Sequence, residues 1–147
     1  MWKLRADERL ARWREFRKKL DSLTLDTAVQ EVAQFWTGIP FTPYYLDIDR
    51  PEEWPDPWTL LEENYYCDVA IALGMLYTIK FTMHDPEIKL HVYYDPESQV
   101  NYNLAFIEDG KYVLNMSEGK VLNKTQINNN LELRYCYGDH ELKLNSY

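Results

Sequence analysis

The sequence predicts an α+β fold, with helices first and an antiparallel sheet after them. Up to about residue 79 apolar residues recur at three- and four-residue steps, and from residue 88 onward they alternate with polar ones. Short turn signals separate the alternating runs. Helical patterns followed by a run of strand patterns, without interleaving, is the arrangement that gives α+β rather than a parallel sheet.

The first twenty residues read as an amphipathic helix, with Leu10, Trp13, Phe16 and Leu20 on one stripe. Around that stripe lie Arg9, Arg12, Arg14, Arg17, Lys18 and Lys19. Thr24 offers an N-cap hydroxyl to a second helix over 25–36, which carries Leu25, Ala28, Val29, Val32 and Trp36 and is stopped by Gly38 and Pro40. The stretch 39–54 is an irregular, proline-rich connection, long enough to expect it to be packed or functional. Asp56-Pro57 opens a third helix, a capping acid followed by proline at the first helical position. That helix falters at Asn64-Tyr65-Tyr66. A segment over 67–79, apolar nearly all round, then reads as a buried core helix.

Strand patterns follow over 88–94, 100–107, 112–116 and 131–137, with a last short one over 142–144. Asp95-Pro96-Glu97-Ser98 turns the chain between the first two. Glu108-Asp109-Gly110-Lys111 is a strong hairpin signal, because glycine supplies the positive φ such turns require. The division expected is a basic helix over 1–20 and one α+β domain over 21–147.

The composition excludes several classes. With 46% apolar residues, five Trp and twelve Tyr, a core can be filled. No apolar run approaches the roughly 18 residues of a membrane helix, and the charged start does not read as a signal peptide. Cys67 and Cys136 are expected as free thiols of a cytoplasmic protein. His84, His91 and His140 are scattered, so neither a metal site nor a cofactor is expected. Residues 1–19 hold eight Lys/Arg against three acids, whereas the rest of the chain is strongly acidic within a net charge of −8. Nucleic acid, bound through phosphate neutralisation, is therefore conceivable only at residues 1–19, and an acidic protein surface is the other partner that segment suits. Trp54 and Trp58, flanked by prolines, are either a stacking platform or core.

One constellation carries chemistry. Pro57-Trp58-Thr59-Leu60-Leu61 leads to Cys67-Asp68-Val69-Ala70, and an aromatic-flanked Asp-Gly hairpin follows. Over residues 55–116 this resembles the transglutaminase-like branch of the papain-type thiol enzymes. The resemblance implies a nucleophilic cysteine at a helix N-terminus, a histidine on one strand and an aspartate on the next. Unpaired N–H groups and the helix dipole stabilise a thiolate there, and an imidazole held by a third group shuttles the proton. Matched position by position, Cys67 is kept, the histidine falls on Asn103 and the aspartate on Asn115. Asparagine shuttles no proton near neutral pH. Small residues expected before the cysteine are Tyr65 and Tyr66, which are expected to wall off the thiol. If the turn at 95–98 closes a hairpin, His91 lies opposite Tyr102 or Asn103 and can stand in for the missing imidazole.

These readings lead to a non-catalytic transglutaminase-like module that binds protein partners within a larger assembly. The contacts would come from the basic helix or from Trp54 and Trp58. The chain also resembles small phage-encoded proteins, which implies host cytoplasm or virion as its setting. The alternative is a thiol enzyme using Cys67 on an amide or acyl substrate, with His91, Asn103 and Asn115 as helpers.

Overall fold

Capping residues set the helix starts. Thr24 Oγ1 accepts from the Thr27 N–H at 3.2 Å, and Asp56 Oδ1 accepts from the Thr59 N–H at 2.8 Å. The computed structural model describes residues 1–43 and 45–144. Its helices are α1 (Ala6–Leu20), α2 (Leu25–Phe35), α3 (Pro57–Glu63) and α4 (Asp68–Lys80). The strands are β1 (Ile88–Asp95), β2 (Val100–Ile107), β3 (Tyr112–Leu114), β4 (Val121–Leu122) and β5 (Glu132–Tyr137). They form one antiparallel sheet in the order β4-β3-β2-β1-β5. The α+β class and its helix-first order are as the sequence predicts.

The hairpins carry the backbone that their turn residues demand. Glu108, Asp109 and Gly110 all have positive φ between β2 and β3. A side chain at Gly110 would also strike Lys124, with a Cβ 2.8 Å from that residue. Leu142 and Leu144 are buried, but the alternation over 142–144 reports packing into the core and not a strand. β4, only two residues long, is too short to leave an alternating pattern in the sequence.

α4 is buried on nearly every side, as its composition requires. Thr78, fully buried within it, is a hub: Trp13 Nε1 donates to its hydroxyl at 2.9 Å and Trp36 Nε1 at 3.0 Å. The hydroxyl donates in turn to the Gly74 carbonyl at 2.6 Å. Gly74 is where the Trp36 ring lies on the helix, since a Cβ there would come within 2.2 Å of it.

α1 is thereby built into the core through Trp13 and Leu20, both fully buried. The boundary at residue 20 marks the end of a helix whose inner face packs against α3 and α4. Arg9 is buried too, and donates to the carbonyls of Leu61 (3.0 Å), Glu62 (2.7 Å) and Leu4. It caps the end of α3 and is not available to a partner. Arg17 lies over the Trp13 ring at 4.1 Å. Trp54 is buried edge-on to Tyr137, donating to the Asp47 carbonyl, and Trp58 packs on Trp13 and Phe81. Of the residues expected to make contacts, Arg12, Arg14, Lys18 and Lys19 are exposed, and Lys19 pairs with Glu31 at 3.7 Å.

Candidate functional site

The site forms where α3 breaks and α4 begins. Asn64 ends α3 in the left-handed region (φ 62°), a conformation asparagine tolerates well. Tyr66 then turns inward and is fully buried against Trp2 and Trp36, while Tyr65 turns out to solvent and meets Tyr45. The Thr42 N–H donates to the Tyr66 carbonyl at 2.8 Å, which lays residues 41–42 alongside the approach to the cysteine. Cys67 is extended (φ −92°, ψ −178°) and is the N-cap residue of α4, with its carbonyl accepting from the Ile71 N–H at 3.0 Å. Its side chain caps nothing, so the first N–H groups of α4 are left without a side-chain acceptor from it. The thiol-bearing residue is 5% exposed, and both cysteines are unpaired.

The residue after the cysteine organises the site. Asp68 Oδ2 accepts from Asn103 Nδ2 at 2.9 Å and from the Asn103 backbone N–H at 3.3 Å. Its Oδ1 accepts from Asn115 Nδ2 at 3.1 Å, and Asn115 Nδ2 also reaches the Asn103 carbonyl at 2.9 Å. Asn115 has φ 74°, and its side chain is directed back to α4. Asn103 and Asn115, expected from the sequence at the histidine and aspartate positions, therefore do converge on the start of α4, but onto the Asp68 carboxylate. Sequence reasoning misses Asp68 as the organiser. The signal lies in the motif itself, an acid directly after the cysteine.

His91 does not join them. β1 and β2 pair Val92 with Asn103 and His91 with Leu104. Alternate residues of a strand face opposite sides, so Asn103 faces α4 with Ala105 and Ile107, whereas His91 lies on the far side. There its ring stacks on Phe106 with centroids 3.8 Å apart. Burial holds its pKa down to about 4, helped by Lys89 and opposed by Asp109. The expected stand-in imidazole is thus on the wrong face of the sheet. Its cross-strand neighbour on β5 is Cys136, which is exposed.

Cys67 lies in a groove of about 310 Å³. One wall is apolar, formed by Phe41, Pro43, Leu46 and Ile48 from the irregular connection. The polar lining of the groove is Asp68, Asn101 and Asn103, and Val69 also borders it. The tyrosines expected to close the site are not among its walls. Phe41 and Asp68 also border a second hollow of about 340 Å³ that runs past Asn115 to Met75 and Glu118.

No protein-family model and no curated protein matches the sequence. Solved structures do resemble the fold. Legionella pneumophila LapG superimposes with a TM-score of 0.71 at 12% identity, over 91% of this chain and 76% of that one. Its calcium-bound form gives 0.73 at 11% identity over 93% and 78%, and its EGTA-treated form 0.67 at 11% over 90% and 74%. At such identity the likeness speaks for the fold alone: this chain shares the α+β architecture of LapG.

Proposed function

We propose that this chain is a transglutaminase-like module that binds a protein partner and does not cleave it. The observation that supports this reading is the amide of Asn103 at the position where a thiol enzyme of this fold needs an imidazole. That amide is tied to Asp68, and the nearest candidate replacement, His91, faces away. Without an imidazole the thiol lacks the base and acid that a thiol enzyme pairs with it, and Cys67 is only 5% exposed. Exposed Arg12, Arg14 and Lys18 supply a basic face for an acidic partner, and a larger assembly, virion or otherwise, is the setting proposed. Nucleic acid is the lesser candidate for that face.

Calcium, present in one LapG structure, does not fit this groove. The Asp68 carboxylate is engaged by N–H donors, and among the described residues no three His, Cys, Asp or Glu side chains gather as ligands.

The second reading is a thiol enzyme, favoured by the placement of Cys67 at the start of α4 beside an apolar groove. Exposure to p-nitrophenyl acetate separates the two. The binding reading expects no burst of nitrophenol and no acetyl adduct on Cys67 by mass mapping. A stoichiometric acetyl-Cys67, absent in Cys67→Ser, would overturn it.

A further inference from the structure

A hollow of about 630 Å³ lies at the C-terminal end of α4 and shares no lining residue with the Cys67 groove at the helix's start. Four charged side chains border it, and they differ in what they bind. Lys80 and Asp85 satisfy one another, Nζ to Oδ1 at 2.8 Å, and Lys80 also donates to the Pro86 carbonyl at 3.0 Å. Arg17 and Asp139, among the described residues, have no ion partner and do not pair with each other. The half-buried Arg17 guanidinium lies over the Trp13 ring at 4.1 Å, and its Nε is buried without an acceptor. Burial, and after it Arg14, disfavours the charge on Arg17; Asp21 favours it, but from beyond ion-pair distance, and its Oδ1 accepts from the Met83 N–H at 2.8 Å. A cation whose buried N–H finds no acceptor is rare in a folded chain, because its desolvation goes uncompensated.

Two unpaired charges of opposite sign on one hollow select a chemical class. A plain carboxylate suits the planar donor fork of Arg17 but is repelled by Asp139. A plain cation suits Asp139 but is repelled by Arg17. A molecule that carries both charges meets each of them, and Trp58, Leu144 and the 84% exposed Met83 offer contact to an apolar body. We propose that this hollow binds a small zwitterion with an apolar body, an apolar amino acid or a short peptide with both termini free. Its carboxylate sits on Arg17 and its ammonium on Asp139. Arg17, stacked on a core tryptophan, comes ready oriented, so it fixes the ligand, whereas the exposed Asp139 adds attraction at the rim. The 13 residues of α4 span about 20 Å, so binding here is independent of the Cys67 sulfur.

The test uses the full chain, isotope-labelled, titrated with phenylalanine and with the dipeptide phenylalanyl-leucine. Each is compared with its N-acetyl form, which keeps only the carboxylate, and with its C-terminal amide, which keeps only the ammonium. Saturable shifts at the Met83 and Asp139 amides and at the Arg17 Nε–H are expected with at least one of the two zwitterions. Which one binds more tightly reports the spacing of the two charges. Blocking either end should weaken binding about fivefold or more. In Asp139→Asn, an exposed position where the fold is not at risk, the N-acetyl form should bind as well as the free amine. In Arg17→Met the amide form should bind as well as the free acid; the ligand comparison on the native chain stands even if that variant loses its packing on Trp13. No saturable shift with either zwitterion, equal or tighter binding of a blocked form, or a preference that Asp139→Asn leaves intact overturns the proposal. Shifts at Val69 in place of Met83 would put the ligand in the Cys67 groove and overturn it as well.

Discussion

The two faces of the β1–β2 pair hold the parts of a thiol–imidazole couple separately. On the inner face Asn103 meets Asp68 at the start of α4, and Cys67 lies in the same groove, with no imidazole among the residues that line it. On the outer face His91 stacks on Phe106 with the exposed Cys136 as its cross-strand neighbour, away from the start of α4. Strand alternation keeps them apart. Moving His91 inward would need a one-residue slip of register, which would also turn Ile88, Leu90 and Val92 out of the core. Possession of the right residue types is therefore no guide to chemistry in this chain; the face each one occupies decides.

The same division should appear in stability, and a pair of substitutions sharpens it. On the inner side Thr78→Val leaves the Trp13 and Trp36 indoles without their shared acceptor, at a cost of about 1–3 kcal/mol for each buried donor. On the outer side Leu133, 51% exposed on edge strand β5, should tolerate replacement by serine within about 0.5 kcal/mol. Urea unfolding of both variants checks this. Similar losses for the two would break the contrast between a packed inner layer and a lightly covered outer one.

A smaller effect is expected from His91 on acidification. Its folded pKa of about 4 lies below the unfolded value near 6.5, so between these limits the unfolded chain binds the extra proton. Its contribution to stability is fully present above about pH 6.5 and is lost as pH falls toward 4. The full shift corresponds to roughly 3 kcal/mol, and water at the half-buried ring reduces this to about 1–2 kcal/mol. His91→Phe should flatten that part of the pH–stability curve while leaving neutral-pH stability nearly unchanged. A curve identical to that of the native chain would mean that His91 is solvated and that water reaches the outer face around Phe106.

Much of the fold is legible in the sequence because its signals are local. Thr24 and Asp56-Pro57 fix helix starts through their own side chains, and Asp109-Gly110 fixes a hairpin through its own φ angles. The all-round apolar character of α4 reports burial without reference to any partner. The site is legible only in part. Asn103 and Asn115 can be placed by motif, but the facing of His91 depends on register, set by where the turn after Asp95 closes. Asp95 pairs with Val100, which puts Val92, and not His91, opposite Asn103. Arg9 reads as a surface cation for a related reason: the carbonyls of Leu61 and Glu62 that it binds are backbone atoms far along the chain, and backbone acceptors leave no mark in sequence. The alternation of Leu142 and Leu144 looks like a strand because burial on one side imposes the same pattern with or without a ladder.

The central claim is that, among the described residues, no imidazole joins Cys67 in its groove at the start of α4, and the rates at which the two thiols react with iodoacetamide in the native chain test it most directly. Site-resolved mass spectrometry at neutral pH should find exposed Cys136 alkylated at the pace of an ordinary surface thiol and Cys67 modified at least about tenfold more slowly until the chain is unfolded. Asn103→His should narrow that gap by supplying the missing base on the correct face. Rapid alkylation of Cys67 in the native chain, persisting below the pH at which a free thiol ionises, would contradict the account and return the site to catalysis.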